Sequence, residues 1–584
     1  MEQNIPASSF EEVLPLAHGR GPQWLRLKCW AQFLILIVLA FVFVIVDHSP
    51  LWHTDIWGHL KFGQWITNHG ALPQSEPFVD WVRPAQPYDG HSWLSQRILY
   101  QVYHFGELLA GSGAAEVRAA GGVELLRLLH ALLFALHLAI LTLAYQRLAD
   151  NWWLALAFLL ITVALSFTHV AVLRPQVFGE VCFAILLLTL ARPAPSLFAM
   201  FGVPAMFAVW ANLHGSFLVG LIVLLGFAGG RMLFLFATYG VQVRPYWKDA
   251  RCHGLLRMVW TSALLIGIFN PAGFRLYGEV FRFGSHPNIA FMDEWKPIGW
   301  DSPWGAVYFA TLVLILMTHL TGLVVPPAQD RPDRRFGVIP LGQLILLACF
   351  GVQTYFKQRL MIWWIMLVPW ICIGPWAHFV RGLKKAEPAT PQATHVGLAP
   401  IPTMILLLAW VLLPLLLSGP AEWCREGRPP ELDRIVHPGT PLMLVRQLDG
   451  QLTKPLPLLS DWLNQHAQNG FPGHVFSSET QGDFLLWALP SELAPVIYTH
   501  VHLFTPDHWQ KVLRVKFAHD GWRRTLDAWK INLLIFEAEI HADLRRNIHA
   551  DPATWQVVLD EFADARKKDP RARLFIAVRT VPLR

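Results

Sequence analysis

Charged residues and cysteines are scarce in this chain of 584 residues, and each shortage excludes a class of protein. Charged residues make up 15% of the sequence, whereas ordinary soluble domains carry about 25%. This excludes a soluble enzyme, a disordered chain and a coiled coil. The six cysteines form no CxxC motif and no paired spacing, which argues against a disulfide framework and a zinc knuckle. We also expect no cleavable signal, since the segment 1–29 is largely polar and no A-x-A site follows the first apolar run.

Apolar residues, in contrast, make up 54% of the chain, and the mean hydropathy is +0.37. They occur in separated runs of about 15–23 residues, near the length that spans the hydrocarbon core of a bilayer. Many of the 27 tryptophans lie at the ends of these runs, as interfacial aromatic belts require. The pattern predicts an α-helical polytopic membrane protein of about eleven spans. The predicted spans are 30–46, 125–145, 152–172, 177–191, 197–211, 216–238, 255–269, 304–325, 338–353, 360–380 and 401–418.

The net charge of +6 is explained by membrane topology. The stretch from Pro420 to Arg584 contains 20 Lys and Arg and 20 Asp and Glu, so its net charge is 20 − 20 = 0. With the N-terminus inside, 14 Lys and Arg fall in short inner segments and 6 in short outer loops. The positive-inside rule then predicts a multi-pass protein of the plasma (inner) membrane with a cytoplasmic N-terminus and an extracytoplasmic C-terminus. No nucleic-acid partner is implied.

This topology divides the chain into three parts. Residues 1–29 form a cytoplasmic tail, and residues 30–419 form a transmembrane domain whose first outer loop covers 47–124. Residues 420–584 are predicted to form an extracytoplasmic α/β domain, because short β-rich runs alternate with amphipathic helical stretches such as Asp507–Phe517. The predicted strands are 474–478, 495–500, 531–536, 555–559 and 573–578.

Polar residues near the ends of the spans all fall on the predicted outer face. The middle of the spans has few of them: His130, His137 and His319, which we interpret as interhelical hydrogen-bond partners. A transporter would instead place polar residues near the bilayer midplane. One-sided polar residues suit a reaction in which one substrate is held in the lipid.

Six motifs stand out along the chain. They are DIWGHLKFGQWI (55–66), HSWL (91–94), WANLHG (210–215), NPAGFRL (270–276), EWKP (294–297) and GDFLLW…PVIY (482–498). The layout combines a long first outer loop, with amphipathic helices expected along the membrane, and an outer C-terminal domain. This layout resembles the GT-C superfamily of integral-membrane glycosyltransferases, which use polyprenyl-phosphate-linked sugars, and within it the motifs look like a group of uncharacterised bacterial members.

The resemblance implies a catalytic base and a means of neutralising the leaving phosphate. Asp55 is the expected base, with His59 four residues on and on the same helical face; the other candidate catalytic residues are Asp89, His91 and Glu180. Arginine suits phosphate because it gives bidentate contacts. The candidate substrate- and phosphate-binding residues are Arg174, Arg359, His214 and Glu294.

Whether the protein uses a divalent metal such as Mg or Mn is left open by the sequence. Asp55 and His59 are the candidate ligands. Many GT-C members have two adjacent acidic residues in the first loop, whereas Asp55 is single here. Either the second carboxylate is Asp89, Glu180 or Glu294, or no metal is used.

Each candidate also has a structural interpretation. Asp55 is suitable as a helix N-cap, and Asp89 as a residue that shapes a Pro–Gly turn. The side chains of Arg174 and Arg359 could simply extend to the lipid headgroups. Glu180 is placed to pair with Arg174. Asn212 and Asn270 are predicted caps, and His500 and His502, which suit one face of a strand, are predicted to be structural rather than metal ligands.

The expected function is therefore transfer of a sugar from a polyprenyl-phosphate donor to an acceptor on the outer membrane face. The acceptor class stays open among polysaccharide, lipid and protein. A transporter or flippase of lipid-linked glycans, and a polymerase or ligase that joins them, are the alternatives.

Overall fold

The computed structural model describes residues 23–51, 55–79, 88, 90–169, 172–192, 195–325, 338–383, 415–442, 473–489, 494–563 and 573–583, without the side chains of 23–29 and 243. Candidate Asp89 and most of the predicted span 401–418 lie outside these residues. Every other predicted span lies on an apolar helix.

The protein is a multi-pass membrane protein whose larger part is helical. Six of its described helices are long and apolar enough to cross a membrane, and four shorter apolar helices accompany them. The helices of this part are α1 Gln23–His48, α2 Asp55–His69, α3 Trp93–Leu109, α4 Ala115–Ala149, α5 Trp152–Leu165, α6 Gln176–Leu190, α7 Leu197–Leu213, α8 Phe217–Tyr239, α9 Val243–Lys248, α10 Ala250–Phe269, α11 Arg275–Phe283, α12 Pro303–Val324, α13 Leu341–Phe356, α14 Met361–Leu383, α15 Gly419–Glu426 and α16 Leu432–Ile435.

Polar caps set where several of these helices begin. The Asn151 side chain accepts hydrogen bonds from two backbone N–H groups in the first turn of α5, and Ser302 caps α12 just before Pro303. Such side chains satisfy backbone donors that have no partner within the helix. The caps therefore keep the turns between neighbouring helices short.

The predicted first outer loop, 47–124, contains helices α2 and α3 and the first turns of α4, which begins at Ala115, ten residues before the predicted span 125–145. Gly106 and Gly121 let α3 and α4 cross closely, because a Cβ on Gly106 would clash with the Gly121 carbonyl oxygen. The first turns of α4 carry Glu116 and Arg118 and are too polar to count as part of an apolar span, so the predicted span began after them. Further along α4, Glu124 and Arg127 are buried as an ion pair.

The C-terminal part contains a four-stranded mixed sheet in the order β1-β2-β4-β3. Strand β1 is parallel to β2, and β4 is antiparallel to both β2 and β3. These elements are β1 His474–Ser477, α17 Glu479–Ala488, α18 Pro506–Lys516, α19 Trp522–Ala528, β2 Ile531–Glu537, α20 Ala542–His549, β3 Trp555–Asp560 and β4 Leu574–Arg579. The α/β prediction for this region is therefore confirmed.

The strand predicted at 495–500 is wrong. That segment makes a single bridge, between Val475 and Pro495, because side chains bind its backbone in place of a neighbouring strand. The imidazole of His508 donates to the Val496 carbonyl over 2.8 Å, and the Thr499 N–H donates to Asp483 Oδ2 over 3.1 Å.

The C-terminal domain packs directly on one end of the helical part. Helix α17 lies against α2, where a Cβ on Gly58 would clash with the Asp483 carboxylate. The Tyr498 hydroxyl donates to Glu76 Oε1 over 2.9 Å, and Asn288 Nδ2 donates to two carbonyls of the segment 501–504. These contacts fix the position of the C-terminal domain over one end of the helical part.

Candidate functional site

A cavity of about 640 Å³ lies where the helical part meets the C-terminal domain. One wall comes from α2 and from the turns that precede α6, follow α7 and precede α14, and the opposite wall comes from the C-terminal domain. The lining includes all eight described candidates, namely Asp55, His59, His91, Arg174, Glu180, His214, Glu294 and Arg359. Polar residues from distant segments of the sequence therefore meet at one cavity.

Four of these side chains form a continuous chain of ion pairs, which we call the cavity chain. Arg174 Nε lies 2.8 Å from Asp55 Oδ2, and Arg174 Nη1 donates to Glu294 Oε2 over 2.7 Å. Arg359 Nη1 donates to the other oxygen of Glu294. Two acids and two arginines thus alternate along the cavity, and their formal charges cancel.

Arg174 is the centre of this chain. Burial alone would lower the pKa of Arg174, but the carboxylates of Asp55 and Glu294 raise it above its usual value. The guanidinium is therefore a permanent cation that holds Asp55 in its charged form. The predicted structural pairing of Arg174 with Glu180 is wrong, because Glu180 Oε2 lies instead 3.7 Å from His137 Nδ1.

His59 lies one turn after Asp55 and is held by neutral partners. Its Nδ1 lies 3.2 Å from Gln96 Nε2, and Gln96 Oε1 accepts from the Tyr88 hydroxyl over 2.6 Å. Because the amide donates to Nδ1, the proton of neutral His59 lies on Nε2. Burial lowers the pKa of His59 to about 4, so this imidazole is neutral at pH 7.

His214 is also fixed in one tautomer. The Ser216 backbone N–H donates to His214 Nδ1 over 3.1 Å, and Trp210 Nε1 donates to the Ser216 hydroxyl over 3.0 Å. The proton of neutral His214 therefore lies on Nε2. His91 lies beside His214, with 6.4 Å between the ring centroids. Burial lowers the pKa of His214 well below its usual value, so His214 is a second neutral imidazole next to the cavity chain.

The candidate metal ligands do not fit a divalent metal ion in this arrangement. Asp55 Oδ2 faces the Arg174 guanidinium, and both oxygens of Glu294 face guanidinium groups. A cation at these oxygens would lie against fixed positive charge. Within the described ranges, no group of three or more His, Cys, Asp and Glu side chains has a metal-binding arrangement.

The polar residues interpreted as structural have mixed outcomes. Asn212 Oδ1 accepts from Trp93 Nε1 over 2.7 Å, and the Asn270 side chain caps the turn after α10 by accepting from Ala272 N–H. His137 Nδ1 lies 3.7 Å from Glu180 Oε2 on a neighbouring helix, but neither atom has a hydrogen-bond partner among the described residues, so this pair does not make the expected interhelical hydrogen bond. His319 bonds the Ile315 carbonyl of its own helix, and His130 Nε2 has no hydrogen-bond partner among the described residues. An interhelical role is therefore wrong for His319.

Sequence reasoning missed the part of the wall that the C-terminal domain supplies. His500 and His502, interpreted as structural, line the cavity, and the His500 ring lies 4.8 Å from that of His59. Gln481, Glu537 and His541 also line it. One signal was present, since Glu537 is the only charged residue of a strand that is buried throughout.

The comparisons with known proteins give a likeness of overall structure. No family model and no curated protein matches the chain. Among solved structures, the chain resembles the oligosaccharyltransferase AglB from Archaeoglobus fulgidus in complex with an inhibitory peptide and a dolichol-phosphate, with TM-score 0.49 and 11% identity over 88% of this chain and 70% of that one. It also resembles the apo form of an Archaeoglobus fulgidus oligosaccharyltransferase, with TM-score 0.49 and 10% identity over 90% and 72% of the two chains.

The third resemblance is to ArnT from Cupriavidus metallidurans bound to undecaprenyl phosphate, with TM-score 0.42 and 14% identity over 95% of this chain and 98% of that one. At these scores the likeness gives no residue a role, so the roles proposed below rest on the geometry of this chain.

Proposed function

We propose that this protein is a membrane glycosyltransferase of the GT-C type. It transfers a sugar from a polyprenyl-phosphate donor to an acceptor hydroxyl at the outer membrane face. The observation that carries the proposal is the cavity chain, which places a charged carboxylate and two arginines along one cavity at one end of apolar helices. A base beside cations that bind phosphate is what glycosyl transfer from a lipid phosphate requires.

The reaction is a direct displacement that inverts the anomeric centre. Asp55 takes the proton of the acceptor hydroxyl, and the oxygen of that hydroxyl bonds to the anomeric carbon of the donor sugar. The bond from that carbon to the phosphate oxygen breaks, and its electron pair leaves with the polyprenyl phosphate. An arginine stabilises the negative charge that develops on the leaving oxygen.

The geometry supports different roles for the two arginines. Arg174 contacts Asp55 directly and its side chain is 16% exposed, so it is a positioning residue for the base. Arg359 is 26% exposed and pairs with Glu294, which is 34% exposed. A phosphate that displaces Glu294 from Arg359 keeps the ion pair between Arg174 and Asp55 intact. Arg359 is therefore the proposed phosphate contact.

His59, His91 and His214 line the same cavity as this reaction centre, and His59 and His214 do so as uncharged groups. The proposed role of His214 is to donate from Nε2 to the donor substrate, because Nδ1 is already an acceptor for Ser216. Glu180 lies with His137 in the helical part and also lines the cavity. We assign it to the floor of the sugar site rather than to proton transfer.

The test is to incubate the purified protein with a panel of radiolabelled polyprenyl-phosphate sugars and to measure released lipid phosphate. We expect release from at least one donor by the wild type and by Asp507→Asn, an exposed control on α18. Asp55→Asn should release far less. Translocation of an intact donor across proteoliposomes without any release would favour the flippase. Products with repeated units would identify the polymerase or ligase.

The proposal also requires the cavity to face outward. In a variant without native cysteines, single cysteines near Gly90 and Gly521 should react with an impermeant reagent added from outside, and a cysteine near Arg334 should not. Labelling near Arg334 from outside would place the cavity on the cytoplasmic side and contradict the proposed use of an outer-face acceptor.

A further inference from the structure

The wall of the cavity opposite the cavity chain is a compact polar cluster. We call it the tail-domain wall: Ser478, Thr480, Gln481, Lys516, Glu537 and His541, all of which line the cavity. Glu537 is its centre. One of its oxygens accepts from the Ser478 hydroxyl over 3.0 Å, from Gln481 Nε2 over 3.1 Å and from the Thr480 hydroxyl. The other lies 3.3 Å from His541 Nε2.

Three buried polar atoms of this wall lack a hydrogen-bond partner among the described residues, and one of them, Glu537 Oε2, faces His541 Nε2 at ion-pair distance. The other two, Gln481 Oε1 and His541 Nδ1, belong to residues that are only 2% and 3% exposed. Buried polar atoms in folded proteins nearly always have a partner. Glu537 contacts Nε2 of Gln481 and Nε2 of His541, so neither side chain rotates to bring its unsatisfied atom to another hydrogen-bond partner. Gln481 Oε1 and His541 Nδ1 are therefore prepared for a ligand in the cavity.

The chemistry of the wall indicates the class of ligand. Lys516 Nζ lies 2.6 Å and 2.7 Å from the two oxygens of Glu479, so this cation is neutralised and leaves no surplus positive charge for a phosphate. The remaining groups mix donors and acceptors, as hydroxyl groups require, because each hydroxyl both donates and accepts. Phe517, whose side chain is 48% exposed, adds an apolar ring to the same lining.

The wall is also connected to the proposed catalytic side. Helix α17 begins at Glu479, and one turn later its Asp483 lies against Gly58 of α2. His500 Nδ1 lies 3.9 Å from Asp483 Oδ1, and the His500 ring contacts that of His59. A ligand on the tail-domain wall therefore shares one cavity with Asp55.

We propose that the tail-domain wall is the acceptor subsite and that the acceptor is a saccharide. Its hydroxyls donate to Gln481 Oε1 and bond to His541 Nδ1, and one sugar ring covers Phe517. The proposal rests on the proposed glycosyl transfer and specifies its acceptor. Gln481 and His541 bind the acceptor, while Glu537 acts as a positioning residue for both.

Binding of simple sugars tests the subsite without knowledge of the natural acceptor. Methyl glycosides of glucose, galactose, mannose and N-acetylglucosamine are added to the full chain in detergent, and binding is measured by saturation-transfer NMR. We expect at least one glycoside to bind, and Gln481→Met to weaken it at least tenfold. His541→Gln should do the same, because glutamine keeps a donor for Glu537 and removes only Nδ1. Gln510→Met, the same change at an exposed position of α18, should bind as the wild type does.

The outcomes separate this proposal from the proposed function. Donor turnover without binding of any glycoside, or equal binding by folded Gln481→Met and His541→Gln, overturns the subsite alone. Binding of a serine-rich peptide in place of every glycoside overturns the saccharide. Glycoside binding without lipid-phosphate release from any donor overturns the transferase and with it the acceptor role. In turnover assays, Gln481→Met should raise the KM for the acceptor, whereas Asp55→Asn should lower kcat.

Discussion

Two groups of charged side chains in this protein are made of the same residue types but differ in access. The cavity chain of Asp55, Arg174, Glu294 and Arg359 has side chains that are 13–34% exposed. The second group, which we call the closed cluster, consists of Asp47, Glu124 and Arg127. Its side chains are 0–6% exposed.

The partners of the two groups differ as well. In the closed cluster, Asp47 Oδ2 accepts from the Gly419 N–H over 2.7 Å, and Arg127 Nε donates to the Ser49 carbonyl over 3.0 Å. A Cβ on Gly419 would clash with the Glu124 carboxylate. These contacts join α1, α4 and α15 through the backbone, so the closed cluster stabilises the fold. The cavity chain joins side chains across a cavity, so its charges remain accessible to substrate.

The strongest test of this comparison is Asp55→Asn. Asparagine keeps the size of the side chain but cannot take the acceptor proton, and loss of a general base typically costs about 10²–10⁴-fold in rate. We expect lower turnover with unchanged folded yield, measured as lipid-phosphate release and by size-exclusion chromatography. A well-folded variant with near-normal turnover would remove Asp55 from the mechanism. Glu180 would then be the next candidate base among the described residues.

Glu124→Gln should lower stability and keep turnover, whereas Asp55→Asn should keep stability and lower turnover. Glu124→Gln leaves Arg127 buried without its carboxylate partner, and breaking a buried pair typically costs about 3–5 kcal/mol. We expect a lower thermal midpoint and a lower folded yield, while turnover per folded molecule is retained. A stable Glu124→Gln protein that has lost turnover would mean that the closed cluster, too, serves the reaction.

Arg359 distinguishes a phosphate contact from an arginine that only reaches the headgroups. Arg359→Gln should weaken donor affinity by roughly 2–3 kcal/mol, the scale of a charged hydrogen bond. Arg359→Lys should fall between Gln and wild type, because it keeps the charge but loses the bidentate geometry. Donor affinity is measured by titration of a polyprenyl phosphate. Equal affinity in all three proteins would show that Arg359 does not bind the phosphate.

The smallest expected effect is a dependence of stability on pH in the C-terminal domain. Burial lowers the pKa of His508 to about 4, so the folded state resists protonation while the unfolded state binds a proton below about pH 6.5. Stability is therefore complete above pH 6.5 and falls as the pH approaches 4. The loss from this residue is about 2 kcal/mol at pH 5.

Thermal unfolding between pH 7 and pH 5 measures this loss. His508→Gln keeps a donor for the Val496 carbonyl and removes the titrating group, so it should flatten the profile. The exposed His519→Gln serves as the control. An unchanged profile in His508→Gln would assign the acid sensitivity to another buried group, with His59 as the first candidate.

The sequence predicted the helical part well because long apolar runs specify helices regardless of their neighbours. The prediction failed where tertiary contacts bury a polar residue or where side chains bind the backbone of an apolar segment. Glu124 was placed in the outer loop because it is polar, but it lies inside α4 and is buried as the ion-pair partner of Arg127. The segment 495–500 has the composition of a strand, but His508 and Asp483 bind its backbone instead.

The candidate site shows the same division. Asp55, His59, Arg174 and Glu294 were proposed from the sequence because they lie in predicted loops on one face of the membrane. Their pairing was not found, since Arg174 and Glu294 are separated by 120 positions. The sequence offered Glu180 as the partner of Arg174 because it lies only six residues away.

By itself, therefore, the sequence determined that this is a helical membrane protein with its polar residues on one side and an α/β domain after its spans. The lengths of the apolar runs and the distribution of Lys and Arg between loops are properties of the sequence alone, so they can be evaluated without knowing which segments pack together. Only the tertiary structure decided which acid faces which arginine, and that Gln481 and His541 of the C-terminal domain line the same cavity as Asp55. Those contacts depend on the packing of α17 against α2, which brings together side chains more than four hundred positions apart.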